Sequence, residues 1–176
     1  MSSWSKKLEG GANIAIILVA IIIGVVFVKN YLLSSPPAPE SRDYRIPAGT
    51  KLSLPEVDWA HNGETLLLVL QKGCHFCAES APFYQRLARD AAAAQSRIRL
   101  VAVLPQETSE AKQYLSSLNV PIDEVKQSAL DALGVQGTPT LILVNEKGEV
   151  MQSWVGKLPA EKEAEVLRQV AASSKS

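Results

Sequence analysis

The sequence predicts an α/β fold in which helices flank a central mixed β-sheet. Three short runs that consist mainly of apolar residues, at 66–70, 98–104 and 140–144, are typical of strands buried on both faces of a sheet. Helical patterns follow the first and second runs. A turn, a further strand and a final helix follow the third run, so we expect the sheet to combine parallel and antiparallel neighbours.

Each element has a local signal. Phe76, Phe83, Leu87 and Ala91 recur at helical spacing. The Asn-Glu-Lys-Gly stretch at 145–148 is typical of a hairpin turn, and a proline commonly opens a helix. In chain order we therefore expect strands at 50–54 and 66–70, a helix at 76–94, a strand at 98–104, a helix at 108–118, a short strand at 120–125, a short helix at 128–133, strands at 140–144 and 149–155, and a helix from Pro159.

An uncharged apolar run, 12–28, lies near the N-terminus. With the residues that follow it, the expected anchor at 12–33 is long enough, as a helix, to cross a hydrocarbon core of about 30 Å. Lys6 and Lys7 precede the uncharged run and only Lys29 follows it closely, so the positive-inside rule puts a short N-terminus, 1–11, in the cytoplasm. We expect a retained single-span anchor. A cleaved signal peptide has the same charge layout and stays open as an alternative.

The remaining boundaries follow from composition. Residues 34–47 are rich in proline and small polar residues, which predicts an extended tether. The globular domain is expected at 48–172, with a short tail at 173–176. Net charge is zero, so nothing in the composition predicts a nucleic-acid partner. With 2 cysteines in all, a disulfide-stapled scaffold is excluded.

Both cysteines lie in one motif, Cys74-His75-Phe76-Cys77. Cys74 follows a predicted buried strand and begins a predicted helix, where free N–H groups and a partial positive charge favour a thiolate. Cys77 lies one helical turn further on and can attack a mixed disulfide formed at Cys74. The motif therefore predicts a site that cycles between dithiol and disulfide.

A two-cysteine motif can also form a structural disulfide or bind a metal or haem. A disulfide across so small a loop would stabilise the fold little. A zinc site needs about four ligands, and only His61 and His75 could join the cysteines as nitrogen ligands. A copper carrier is possible in principle, whereas Ala78 excludes a haem-attachment motif. We expect no metal and no cofactor.

The motif and its surroundings resemble the thioredoxin superfamily. The resemblance rests on a strand before Cys74 and Cys77, Pro82 in the following helix, and Thr138-Pro139 before a strand. The N-terminal anchor and the segment at 120–133 resemble the membrane-anchored TlpA/ResA-like branch.

The resemblance implies roles for several residues. Cys74 would be the nucleophile and Cys77 the resolving thiol. Thr138 and a cis Pro139 would bind an extended substrate peptide, and His75 and Phe76 would tune the redox potential. Two departures stand out: Gly73 replaces the usual tryptophan, and Leu68 replaces a buried acid. Glu56, Asp58 and Glu79 are candidates for the missing proton relay, and Glu79 could instead pair with His75.

We therefore expect a membrane-anchored thiol–disulfide oxidoreductase, and we favour a reductase. It would sit in the cytoplasmic (inner) membrane, with its soluble domain on the periplasmic or other extracytoplasmic side. Its partners would be cysteine-containing exported proteins and, by analogy with the family, a membrane thiol electron carrier. The alternatives are a tethered module that binds a metal or a partner protein without turnover, and a thiol peroxidase.

Overall fold

The structure is a computed structural model. It describes residues 17, 19–24, 44–54, 57–122 and 124–172. The chain divides into two compact units, Met1–Asp43 and Tyr44–Ser176. In the first unit, the described residues, 17 and 19–24, are helical.

Much of the predicted N-terminal organisation lies outside the described residues. This holds for the cytoplasmic segment 1–11, for most of the anchor 12–33 and of the linker 34–47, and for the tail 173–176. In the ranges that the structure does describe, no helix has both the length and the apolar character needed to cross a membrane.

The second unit is an α/β domain with a five-stranded mixed sheet. The strand order is β3-β2-β1-β4-β5. β1 runs parallel to β2 and antiparallel to β4, so it is the central strand. The elements are α1 (Trp59–Asn62), β1 (Thr65–Val69), α2 (His75–Glu79), α3 (Ala81–Ala93), β2 (Arg99–Leu104), α4 (Thr108–Ser117), β3 (Val125–Gln127), a 3-10 turn (Asp131–Leu133), β4 (Thr140–Val144), β5 (Val150–Val155) and α5 (Ala160–Ala172).

The sheet separates two apolar cores. All residues of β1 and of β4 are buried, as expected for strands covered on both faces. Leu66 and Leu68 face a core built with α3, α4 and α5. Leu67 and Val69 point the other way, because strand side chains alternate, and face a core built with the 3-10 turn and the segment before α1. Burying each such side chain contributes about 1.5–3 kcal/mol, so both faces of β1 are firmly held.

The predicted helix at 76–94 forms as two helices. α2 ends at Glu79 and α3 begins at Ala81, with Ser80 between them. Pro82 lies in the first turn of α3, where its missing N–H leaves no hydrogen bond unmade. Its ring would clash with the carbonyl four residues earlier in an unbroken helix, so the break falls just before it.

Two predicted short strands are wrong in their limits. Residues 50–54 contribute only an isolated bridge, Lys51 to Glu149, although Leu52 and Leu54 are buried. The strand predicted at 120–125 begins only at Val125, where it pairs with Ala102. A proline within 120–125 removes one of the N–H groups that a ladder needs. The short helix predicted at 128–133 is only the 3-10 turn.

The folded unit also begins earlier than expected. Ile46, which was assigned to the linker, is buried in the second core. Its N–H donates to Ser153 Oγ at 2.8 Å, and its carbonyl accepts from the same hydroxyl at 3.0 Å. Ser153 is buried, so its hydroxyl needs hydrogen-bond partners. Because Ser153 lies on β5, these two bonds attach the chain at Ile46 to that strand.

Candidate active site

The register of the sheet brings the two predicted site segments together. Val69 ends β1 and pairs with Thr140, the first residue of β4. The chain leaving β1 toward Cys74 therefore meets the chain entering β4 from Thr138 and Pro139. Gly73 makes the turn before the cysteine with φ +82°, a left-handed conformation that side chains disfavour. Glycine, which stands here in place of the family's usual tryptophan, adopts this conformation without strain.

Cys74 caps the N-terminus of α2. Its Sγ accepts a hydrogen bond from the Cys77 N–H at 3.1 Å. The Cys74 thiol also lies 3.3 Å from the Thr138 carbonyl oxygen, to which it donates. Both cysteines are free thiols; Cys74 is half-buried and Cys77 is fully buried. The accessible thiol is therefore the first, as the motif predicted.

The two thiols have opposite pKa shifts. Burial alone would raise the pKa of Cys74, but hydrogen bonds from the side chains of Cys77 and Thr138 and from the backbone of Cys77 and Phe76 together lower it. Burial raises the pKa of Cys77 to about 12, and the neighbouring Cys74 adds to the rise. Since the thiolate is the nucleophile, Cys74 is prepared to attack first, and Cys77 keeps its proton until a later step.

The Thr138–Pro139 peptide bond is cis, as the resemblance implied. The Thr138 carbonyl faces Cys74, and the Pro139 carbonyl accepts a hydrogen bond of 2.7 Å from the Gly156 N–H. The loop before β4 is thus attached to the active-site helix on one side and to the end of β5 on the other. No substrate contact tests the binding role expected of these two residues, so that role stays a prediction.

His75 and Phe76 are exposed beside the nucleophile. The His75 side chain is 76% exposed, and its Nε2 lies 3.1 Å from Glu79 Oε1. This is the helical pair that the spacing predicted. Phe76 is 54% exposed and packs edge-on against His75. His75 is not among the groups that shift the pKa of Cys74, so its tuning role stays a prediction.

The candidates for a buried acid do not fill that role in the described part of the chain. Leu68 is fully buried and apolar. Asp58 is exposed and caps α1, accepting from the His61 N–H at 3.1 Å. Glu79 is exposed on the surface, where Lys157 lies 3.1 Å away and, with His75, lowers its pKa. Glu56 lies outside the described residues.

Sequence reasoning missed three side chains near the cysteines. Lys157 joins Glu79 across the site from the loop after β5. Tyr84 on α3 and Tyr114 on α4 are both electrostatically coupled to Cys74 and Cys77. The pattern on α3 could have identified Tyr84, which lies three residues before Leu87 and hence on the same buried face. Lys157 and Tyr114 come from distant segments, and no local signal identified them.

This arrangement can perform a two-electron exchange. A thiolate at Cys74 attacks a partner disulfide and forms a mixed disulfide. Cys77 then attacks Cys74 Sγ, which releases the partner as a thiol and closes the Cys74–Cys77 disulfide. The fold holds the two sulfurs close enough for this step, because Cys77 lies one turn after the capping thiol.

A family model described as a thioredoxin-like domain matches residues 57–171. The chain belongs to this family. The match confirms the predicted resemblance to the thioredoxin superfamily, and with the paired thiols it supports the predicted thiol–disulfide oxidoreductase activity. No curated protein sequence matches the chain significantly.

Solved structures resemble this thioredoxin-like domain. A Chlorobium tepidum protein assigned as the thiol:disulfide interchange protein DsbE is 26% identical, with 65% of this chain and 82% of that chain covered and a TM-score of 0.49. A thiol:disulfide interchange protein from a Bacteroides species is 17% identical, with 70% and 86% covered and a TM-score of 0.51. A thioredoxin family protein from Chlorobium tepidum TLS is 12% identical, with 72% and 98% covered and a TM-score of 0.53. The last two likenesses show the shared fold.

Proposed function

We propose that this chain is a thiol–disulfide oxidoreductase that exchanges disulfides with other proteins through Cys74 and Cys77. The observation that carries the proposal is the opposite behaviour of the two thiols. Cys74 is accessible, and hydrogen bonds lower its pKa, whereas Cys77 is fully buried with a raised pKa. A structural disulfide or a passive metal ligand pair would not need one thiol activated and the other protected.

The proposed direction is reduction of the partner. Strong oxidants of this kind have a reduced form that is unusually stabilised. Here the Cys74 thiolate is favoured by hydrogen bonds alone, since no cationic side chain of the described ranges acts on it. The raised pKa of Cys77 keeps the second thiol protonated. This environment favours a reducing potential, in agreement with the TlpA/ResA-like resemblance.

The proposed location is the cytoplasmic membrane, with the domain on its periplasmic or extracytoplasmic side. Support comes from the sequence: an apolar segment at 12–33 that is uncharged over 12–28, lysines before it and a proline-rich tether after it. The proposed clients are exported proteins with cysteines. A membrane thiol carrier would return electrons to the Cys74–Cys77 disulfide, because each turnover oxidises the pair.

Single-cysteine variants of the full chain test the activity. Cys77→Ser should trap clients as mixed disulfides through Cys74, and Cys74→Ser should trap none. Both variants should lose turnover with a protein disulfide. A chain that binds stoichiometric zinc or copper and exchanges no disulfide would instead be a binding module. Turnover of a hydroperoxide at a rate above that with protein disulfides would favour the peroxidase alternative.

A further inference from the structure

A group of hydroxyl-bearing side chains lies in the apolar core on the Cys77 side of the sheet. Tyr84 on α3 is fully buried in the same core as Cys77 and Leu68. Tyr114 on α4 is half-buried and packs against that core. Ser80, between α2 and α3, is also buried, and its hydroxyl has no hydrogen-bond partner among the described residues. No carboxylate in the described ranges acts on either cysteine or either tyrosine.

Contacts at both ends of α4 hold Tyr114 near the active site. At the start of the helix, Glu110 Oε1 lies 2.6 Å from Lys72 Nζ, in the loop that leads to Cys74. At its end, the Leu118 carbonyl accepts a hydrogen bond of 2.8 Å from Gln85 Nε2 on α3. Tyr114 follows Glu110 by four residues and so lies one turn further along the same face. Its side chain packs against the core that α3 helps to form.

The Tyr114 hydroxyl is buried, and no group in the described residues forms a hydrogen bond with it. An unpaired buried hydroxyl is costly, so native structures seldom keep one without a role. A hydroxyl at this position can become a donor when a negative charge forms nearby.

The electrostatics fit a donor better than a base. Burial raises the pKa of Tyr114 to about 12, and negative charge at Cys77 and then at Cys74 adds to the rise. Burial also raises the pKa of Tyr84, with smaller contributions from Cys77, Cys74 and Tyr114. Both hydroxyls therefore keep their protons near neutral pH. Neither can remove the proton from Cys77, but both can stabilise the thiolate it leaves.

We infer that the hydroxyls of Tyr114 and Tyr84 donate hydrogen bonds to the Cys77 sulfur as it becomes a thiolate, directly or through one bridging water. The inference rests on the proposed function and concerns its second step. Cys77 loses its proton, its sulfur bonds to Cys74 Sγ, and the bond from Cys74 to the client sulfur breaks. The client sulfur leaves with the electron pair and takes up a proton. The family's buried acid is absent here, because Leu68 occupies its position. The two tyrosines thus stabilise the negative charge on the Cys77 sulfur.

The two steps can be followed separately with Ellman's reagent on the full reduced chain. Attack by Cys74 releases one thionitrobenzoate and leaves a second as a mixed disulfide; attack by Cys77 releases the second. Tyr114→Phe should leave the first phase unchanged. It should slow the second phase about tenfold to a hundredfold, the effect of losing one hydrogen bond to a charged group. The pH midpoint of the second phase should also rise, which loss of packing alone would not produce.

Matched variants complete the test. Tyr84→Phe should act in the same direction, and Tyr44→Phe, at an exposed position, should change neither phase. If Tyr114→Phe fails to fold by circular dichroism, fluorotyrosine at position 114 decides, because its more acidic hydroxyl should speed the second phase. Second-phase rates and pH profiles unchanged in the phenylalanine variants, or unchanged with fluorotyrosine, would overturn the inference. A wild-type chain that exchanges no protein disulfide would instead overturn the proposed function.

Discussion

Replacing Cys77 should change the pKa of Cys74 in a way that depends on the replacement. Four hydrogen-bonding contributions lower that pKa: the side chains of Cys77 and Thr138, and the backbone groups of Cys77 and Phe76. Cys77→Ala removes one side-chain donor and keeps the other three. Cys77→Ser replaces the thiol with a hydroxyl that can still donate. The two variants therefore differ in one hydrogen bond to the same sulfur.

The magnitude follows from the strength of such a bond. A hydrogen bond to a charged group contributes about 1.5–3 kcal/mol, and one pKa unit corresponds to about 1.4 kcal/mol. The pKa of Cys74 should thus be higher by about one to two units in Cys77→Ala than in Cys77→Ser. The rate of iodoacetamide alkylation against pH measures it, because only the thiolate reacts. Equal profiles in the two variants would refute the claim that the Cys77 side chain stabilises the nucleophile.

Three further predictions concern the same domain. In a Cys74→Ser background, the free energy of unfolding in urea should fall above about pH 9. The folded chain keeps the Cys77 proton up to about pH 12, whereas the unfolded chain loses it near pH 9, so the stability from the raised pKa is present below pH 9 and is lost as pH rises toward about 12. The Cys74→Ser, Cys77→Ser double variant should lack this fall. Leu68→Ala should lower the free energy of unfolding in urea by about 2–5 kcal/mol, because the side chain is fully buried in the central strand, whereas Met151→Ala, at an exposed position, should change it by less than about 0.5 kcal/mol. His75→Ala should leave the alkylation profile of Cys74 nearly unchanged, because the imidazole is exposed and does not act on the pKa of Cys74; a clear shift would support the tuning role that the resemblance implies.

Local patterns predicted the centre of the fold well. β1 and β4 are short and buried on both faces, so their sequences are apolar after the first threonine and easily recognised. The hairpin between β4 and β5 was also found, because Asn145 has the turn chemistry that its position requires: its side chain accepts from the N–H groups of Lys147 and Glu149. These features depend on residues close in sequence.

The errors involve interactions between distant segments. Ile46 was assigned to the tether because prolines surround it, yet a hydroxyl on β5 fixes its backbone. The strand at β3 is short, and its pairing with β2 rather than its own composition sets where it begins. Tyr114 reaches the core beside Cys77 only because α4 is attached at both ends to the active-site loop and α3. The sequence indicated the redox pair but not the groups that surround its second thiol.

The reduction potential of the Cys74–Cys77 pair tests the central claim most directly. The full chain would be equilibrated against dithiothreitol and glutathione buffers, and the two thiols would be counted by alkylation. We expect one reversible two-electron couple, nearer the roughly −270 mV of thioredoxin than the roughly −120 mV of DsbA. A value near the latter would contradict the proposed reductase direction. If no reversible couple forms between Cys74 and Cys77, the pair is not a redox site and the account is wrong.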